Sequence, residues 1–192
     1  MKSIVRRDTG EDWNEYLTRL MQVEGLVAAG EKPTVEELRL FDKTRKNKTV
    51  SNDEWVSETD PESRIARMKD GTTHLAYKAE HVIDLESELI LAAEIYPANQ
   101  HDTATLADSV IQAEVHQQEA GGEREIAEVV ADKGYHANET ITDLGDLSYR
   151  TYIPEPQRPH GCTWTDKPPE QKQAVYGNRR RTRGERGRKL QR

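Results

Sequence analysis

The sequence is poor in the residues that build a large hydrophobic core. Only 34% of its 192 residues are hydrophobic, 33% are charged, and Phe41 is its one phenylalanine. A chain of this composition buries little apolar surface to offset the conformational entropy that it loses on folding. We therefore expect one modest core with poorly ordered flanking segments.

Two further absences exclude whole classes of protein. The sequence has no run of eighteen or more apolar residues, which excludes a membrane-spanning helix, and no apolar stretch follows the first basic residues as a secretory signal requires. Cys162 is the sole cysteine, so neither an intramolecular disulfide nor a cysteine-based zinc site can form. We interpret Cys162 as a loop thiol without a role and expect a cytoplasmic protein.

The net charge of -7 conceals a basic C-terminal segment. Residues 178–192 contain eight arginine or lysine side chains and a single acid, Glu185. A block of like charge at one end of a chain is typical of an interaction arm, and positive charge suits the phosphates of DNA. The alternative is a disordered cationic tail without a ligand. The candidate phosphate contacts are Arg179, Arg180, Arg181, Arg183, Arg186 and Arg188.

Residues 1–70 are predicted to form a helical and polar N-terminal segment. Apolar residues recur at helical spacing from Glu11 to about Ala29, and Thr34 begins a capping box ahead of a second, short helix. The basic stretch Lys43–Lys48 is too charged for a core, and residues 50–70 are polar.

Residues 71–155 have the pattern of an α/β fold. The predicted elements are, in order, strand 73–84, strand 89–96, helix 103–118, strand 126–131, helix 138–147 and strand 149–153. Leu85–Glu88 has the length of a hairpin turn, and Asn138 suits a helix N-cap. This order implies a mixed α/β sheet. Residues 156–192 combine a linker rich in proline and glycine with the arginine-rich tail, in which three glycines weaken a basic helix.

The segment Val129–Tyr135, VVADKGY, is the one that points to chemistry. It places Asp132 at the end of a buried strand, ahead of a glycine turn and a helix, where open α/β sheets place their ligands. Aspartates at strand ends also commonly cap turns and stay solvated. From these residues alone, the turn-capping interpretation is favoured.

The wider sequence around Asp132 resembles a known family. The run ADKGYHANET, then a helix, then YRTYIPEP, is similar to the segment around the second catalytic aspartate of DDE insertion-sequence transposases. The upstream run DPESRIARMKDGTTHLAYKAEHVIDLES and the tail AVYGNRRRTRGERGRKLQR also resemble that family, in the same order. The resemblance implies an α/β fold, an incomplete RNase H-like mixed sheet with flanking helices, a helical N-terminal insert and a basic C-terminal tail. It also implies that Asp132 is a catalytic, metal-binding carboxylate.

The same resemblance implies that the family's first aspartate lies upstream of Met1 and its glutamate beyond Arg192. Three carboxylates position two metal ions, here Mg²⁺, for phosphoryl transfer, and one carboxylate cannot hold that pair. The strand shared by the hairpin and the later strands would also be missing. We therefore expect exposed strand edges, poor folding and an inactive chain. The implied partners are DNA at the element's terminal inverted repeats, and a second copy or an intact transposase.

Two hypotheses from other classes remain open. One is a non-catalytic nucleic-acid-binding protein that acts through the C-terminal arginines, and the other is a nuclease that uses Asp84 with Asp132. Asp84 is better interpreted as a residue of the hairpin turn. The histidines show no metal-ligand pairing, and Trp13, Trp55 and Trp164 are too scattered for a base-stacking platform.

Overall fold

The computed structural model describes residues 3–46, 48–68, 70–157 and 163–191. Cys162 and one of the six histidines, His160, lie outside the described residues. The chain divides into two compact units, residues 1–77 with 97–99 and residues 78–96 with 100–192. Within the described residues, no helix is both long and apolar enough to cross a membrane.

The first unit combines two helices with short antiparallel strand pairs. Strand β1 pairs with β2, and β3 pairs with the beginning of β4. The bounds are β1 Ile4–Arg6, α1 Trp13–Val23, α2 Val35–Thr44, β2 Trp55–Ser57, β3 Arg64–Arg67 and β4 Thr73–Ile83.

Capping boxes begin both helices of the first unit. The Thr34 hydroxyl accepts a hydrogen bond from the Glu37 backbone N–H, and the Glu37 carboxylate accepts one from the Thr34 N–H at 2.7 Å. The helix start predicted at Thr34 is therefore confirmed. Helix α1 begins in the same way at Asp12, but it is shorter than predicted. It ends before Gly25, whose left-handed conformation (φ +72°) the helix cannot continue.

The first unit has its own hydrophobic cluster, so the expectation of one core with poorly ordered flanks is wrong. Its aromatic centre includes Trp13 and Trp55, whose rings lie 5.1 Å apart. Trp55 is only 1% exposed and lies in a strand within the stretch that we predicted to be merely polar. Arg45, from the predicted solvent-facing basic stretch, packs its guanidinium 5.7 Å from the Trp13 ring centre. Aromatic side chains and the Arg45 guanidinium thus add to the aliphatic side chains of this core.

The second unit has the predicted order of elements. Strand, strand, helix, strand, helix and strand follow one another, so the α/β class is confirmed. The predicted N-cap at Asn138 is wrong, because the cap is Ala137 and Asn138 is already helical. The remaining bounds are β5 Ile90–Pro97, α3 Asp102–Glu119, β6 Glu128–Val130, α4 Asn138–Asp146, β7 Arg150–Tyr152, α5 Pro169–Arg183 and α6 Glu185–Leu190.

The strands of the second unit form two separate hydrogen-bonded pairs. Strands β4 and β5 are neighbours joined by the turn after Asp84, and β6 runs parallel to β7 with Val129 opposite Thr151. Among the described residues, neither pair is hydrogen-bonded to the other. The runs 80–87 and 124–131 instead help to line a cleft of about 1210 Å³. Strand β4 also pairs with β3, and no further strand is hydrogen-bonded to β5, β6 or β7 among the described residues. The exposure of these edges stays a prediction.

Helix α5 belongs to the core of the second unit and is not a disordered tail. Its Val175 and Asn178 side chains are fully buried. The Asn178 side-chain amide accepts a hydrogen bond from the Ile153 N–H at 3.0 Å and donates one to the Ile153 carbonyl at 2.7 Å. In α6, Gly187 lies so close to the Arg181 carbonyl that no Cβ would fit there. This glycine therefore permits close helix packing, contrary to the weakening effect that we predicted.

Candidate active site around Asp132

Asp132 lies two residues beyond the end of β6 and caps a single 3-10 turn over Lys133–Tyr135. Its Oδ1 accepts a hydrogen bond from the Gly134 N–H, so Asp132 does cap a turn. The residue is nevertheless exposed, as are Lys133 and Gly134. The turn-capping bond therefore uses one carboxylate oxygen and leaves the side chain accessible from solvent.

A second carboxylate approaches the Asp132 turn from the beginning of helix α3. A Cβ atom placed on Gly134 would lie 2.8 Å from Asp132 Oδ1 and 3.1 Å from Asp102 Oδ2. Gly134 therefore lies close to both carboxylates, and a side chain at this position would collide with that of Asp132. Asp102 is the first residue of α3, and its side chain is 43% exposed. Both carboxylates can be reached from solvent.

A largely buried ion pair on β4 lies next to Asp102. The Lys78 ammonium is 2.7 Å from Glu80 Oε1 and 3.2 Å from Asp102 Oδ1, and it donates to the Thr105 hydroxyl at 2.8 Å. Lys78 and Glu80 are two residues apart on a strand, so both side chains point to the same face. This face carries the polar side chains that meet α3.

Glu80 is ionised despite its burial. Burial raises the pKa of this carboxyl, but hydrogen bonds from Lys78, Thr105 and Ser109 outweigh that effect and leave the pKa below its ordinary value. The Ser109 hydroxyl donates to Glu80 Oε2 at 2.7 Å. A buried carboxylate with partners on both oxygens is fixed in position.

Tyr135 connects the Asp132 turn to this ion pair. Its side chain is partly buried, and its hydroxyl is hydrogen-bonded to Glu80. Burial, followed by the negative charges of Glu80 and Asp102, raises the pKa of Tyr135 well above its ordinary value. The phenol therefore stays protonated and can donate to Glu80, which ties the turn after β6 to strand β4.

The sequence identified Asp132 but not Asp102, Lys78 or Glu80. The one local signal for the ion pair was two charged residues at alternate positions of a strand, both on the face that a helix would cover. Asp102 directly precedes the predicted helix 103–118, a position that by itself indicates only a helix start. Asp84 lies in the hairpin turn, where its carboxylate accepts hydrogen bonds from the N–H and hydroxyl of Ser87. Its interpretation as a turn residue is confirmed.

Two of the candidate DNA-binding arginines make internal contacts. Arg179 forms a two-point ion pair with Glu155, at 2.6 and 2.7 Å, and this pairing raises the pKa of Arg179. Arg181 donates to the Thr151 carbonyl at 3.0 Å, and burial lowers its pKa. These two side chains attach α5 to the β6–β7 pair and the segment that follows it.

The other four candidate arginines are exposed. Arg186 is paired with Glu128 at the surface, so its positive charge is already partly balanced. Arg180, Arg183 and Arg188 lie on exposed positions of α5 and α6. Positive charge is therefore available to a ligand mainly at these three positions.

The tryptophans do not form a base-stacking platform, although they are less scattered than predicted. Trp13 and Trp55 are in contact but buried in the first unit. In the second unit, Trp164 packs 5.8 Å from the Tyr176 ring. The buried rings of Trp13 and Trp55 offer no face to an unpaired base, and partly buried Trp164 has only Tyr176 as its aromatic neighbour in the described residues.

Two carboxylates, those of Asp132 and Asp102, lie near Gly134. Within the described residues, no group of three or more His, Cys, Asp or Glu side chains could hold a metal ion. Mg²⁺ is often bound by one or two carboxylates together with water and substrate phosphates, so an ion at Asp132 would need further ligands from water or substrate.

Comparison with known families gives a match to the transposase DDE domain over residues 41–190. This range covers most of the chain and includes Asp132, Asp102 and helix α5. Curated proteins and solved structures gave no match.

Proposed function

Because this chain belongs to the transposase DDE domain family, we propose that Asp132 is a metal-binding carboxylate of its DNA strand cleavage and transfer reaction. The observation that carries the proposal is the exposed position of Asp132 in the turn just beyond the end of β6, beside Gly134. A strand end of this kind is where α/β folds place reactive side chains. The turn holds one oxygen of Asp132 and presents the carboxylate to solvent.

The proposed ion is Mg²⁺, with Asp132 as its ligand from this strand. When bound, such an ion supplies Lewis-acid activation of the attacking oxygen and stabilises the leaving oxygen. The contribution of the chain is orientation. The Gly134 N–H fixes Asp132 Oδ1, and the Tyr135–Glu80 hydrogen bond holds the turn against β4.

DNA, including the terminal inverted repeats of the element, is the proposed substrate and partner. Arg180, Arg183 and Arg188 are exposed and can contact its phosphates, whereas Arg179 and Arg181 hold the helix in place. Family membership favours this function over that of a nucleic-acid-binding protein without catalysis.

We also propose that the second unit is RNase H-like and that the protein acts in the cytoplasm. The support for the fold is the order strand, strand, helix, strand, helix, strand with a parallel β6–β7 pair. Association with a second copy or with an intact transposase remains part of the proposal.

Binding to inverted-repeat DNA at several salt concentrations tests the DNA contacts. Replacing Arg180, Arg183 and Arg188 by glutamine should make the plot of log binding constant against log salt concentration less steep. The slope should change by about 0.9 for each lost phosphate contact. The matched control is Arg124→Gln, which removes an exposed charge from a loop of the same unit. An unchanged slope in the triple variant would contradict these contacts.

Binding of Mg²⁺ to the complex of this chain with the same DNA tests Asp132, because the sequence predicts that the chain alone does not cut DNA. Asp132→Asn should bind DNA as the original chain does but should weaken Mg²⁺ binding at least about tenfold, because one ligand of the ion is lost. Equal Mg²⁺ binding by the variant would refute the role of Asp132.

A further inference from the structure

We propose that Arg150 is a further contact to DNA phosphates and that Glu128 competes with DNA for Arg150 and Arg186. This inference rests on the proposed DNA contacts of α5 and α6 and adds to them a side chain from strand β7. The observation that carries it is one carboxylate shared by two arginines. Glu128 lies 2.5 Å from Arg186 Nη2 and 3.9 Å from Arg150 Nη1.

The pairing of β6 with β7 places Arg150 beside Glu128, because the two residues are directly opposite each other in the parallel register. Arg186 reaches the same carboxylate from α6, and its Nε and Nη2 both donate to Glu128 Oε2, at 3.0 and 2.5 Å. The other oxygen, Oε1, accepts a hydrogen bond from the Tyr152 hydroxyl at 2.9 Å. At 3.9 Å, Arg150 is too far from Glu128 for a hydrogen bond, so its guanidinium can donate to a ligand from solvent.

Positive charge is in excess around Glu128. Arg181 interacts with both Arg150 and Arg180, so four arginines surround the one carboxylate and leave three positive charges unbalanced in this group. Burial lowers the pKa of Arg181, and the charges of Arg150 and Arg180 lower it further. Like charges at short range repel each other, and an anion bound among them removes that repulsion.

A structural clamp between α6 and β6 does not account for this geometry. The Arg179–Glu155 pair is such a clamp, since each guanidinium nitrogen takes its own carboxylate oxygen and both side chains are only 25% exposed. The Arg186 side chain is 68% exposed and uses a single oxygen of Glu128, and the Arg150 side chain is 62% exposed. Ion pairs this open to water stabilise a protein weakly, so a competing anion can replace the carboxylate.

A phosphate of the DNA backbone is the anion that fits this cluster. The planar fork of a guanidinium group binds phosphate oxygens in pairs, and neighbouring phosphates of one strand can occupy more than one arginine. Because Tyr152 holds Oε1, Glu128 stays beside β7 when a phosphate takes Arg186 from it. Glu128 therefore lowers the affinity for DNA in the free protein. Phosphate contacts carry no sequence information, so the effect should be equal on any duplex.

The test is binding of the full chain to a short DNA duplex of arbitrary sequence at several salt concentrations. Glu128→Gln keeps an acceptor for Tyr152 and releases Arg186. It should bind at least about threefold more tightly, and its plot of log binding constant against log salt concentration should be steeper by about 0.9. Arg150→Gln should bind more weakly, with a slope less steep by about 0.9.

The matched control is Glu125→Gln, which removes the same charge from an exposed position just before β6 and should leave the slope unchanged. If Glu128→Gln binds no more tightly than Glu125→Gln, net charge sets the affinity and the competition by Glu128 is refuted. Arg150→Gln changes an exposed side chain, and circular dichroism checks that it folds. An unchanged slope in this variant would refute the contact by Arg150.

These outcomes are distinct from a failure of the proposed function. If Arg150→Gln keeps the original slope while the triple variant of Arg180, Arg183 and Arg188 loses its contacts, only the role of Arg150 is refuted. If the original chain does not bind the duplex at low salt, the proposed DNA contacts and the role of Arg150 are both refuted.

Discussion

Replacement of Asn178 by alanine removes the side chain that joins helix α5 to the end of β7. The Asn178 amide serves both backbone groups of Ile153, accepting from its N–H at 3.0 Å and donating to its carbonyl at 2.7 Å. Both residues are fully buried, so water cannot replace the lost partner without opening the core. The variant therefore leaves a buried donor and a buried acceptor unpaired.

The expected cost follows from those two groups. Each unpaired buried backbone group costs about 1–3 kcal/mol, so the variant should lose roughly 2–6 kcal/mol of unfolding free energy. A typical domain has only about 5–15 kcal/mol in total. The loss should be large enough to detach α5, and with it the exposed arginines, from the rest of the second unit.

Urea unfolding followed by circular dichroism measures the loss, and hydrogen exchange at the Ile153 amide locates it. The matched control is Gln173→Ala, an exposed change on the same helix, which should stay within about 0.5 kcal/mol of the original chain. If Asn178→Ala is as stable as this control and Ile153 remains protected, α5 is not held in the way described.

Three further predictions concern other parts of the chain. Thr34→Ala removes the N-cap of α2 and should cost about 1 kcal/mol in thermal unfolding, whereas an unchanged midpoint would contradict the capping box. Burial and the hydrogen bond to Glu114 raise the pKa of Tyr149 to about 12. The folded state therefore holds the proton more tightly, and stability should fall as pH rises from about 10 towards 12. Tyr149→Phe should remove that part of the pH dependence in urea unfolding, and an unaltered slope would assign it to another group. Lys78→Met leaves Glu80 buried without its cation and should cost roughly 3–5 kcal/mol at neutral pH. This loss of unfolding free energy should be smaller in acid, where Glu80 is protonated. Urea unfolding at neutral and acidic pH measures it, and an equal loss at both pH values would contradict the prediction.

The features that the sequence predicted correctly are those encoded by neighbouring residues. The capping box needs only Thr34 and Glu37, three positions apart, and the hairpin turn needs Asp84 and the residues just after it. The order of strands and helices in the second unit follows from the period of apolar residues. Family resemblance added Asp132, and the matched domain confirms that family.

The features that sequence could not predict depend on contacts between distant residues. Asn178 and Ile153 are 25 positions apart, and no neighbouring residue in the sequence indicates that the two form hydrogen bonds. The same holds for Asp102 beside Gly134, which depends on where α3 begins relative to β6. Trp55 was missed for a different reason. It lies in a three-residue strand within a polar stretch, and three residues are too few to show the alternation of apolar and polar positions that indicates a strand.

Strand β4 limits where the chain can be truncated to give its two units separately. Tyr77 is the last residue of the first unit before Lys78 begins the second, so the boundary falls in the middle of one strand. The chain also returns briefly to the first unit at residues 97–99. A truncation at this boundary would divide the strand between its pairing with β3 and the Lys78–Glu80 ion pair. Neither unit can therefore be expressed alone by a single cut, and a gene rearrangement that separated them would damage both.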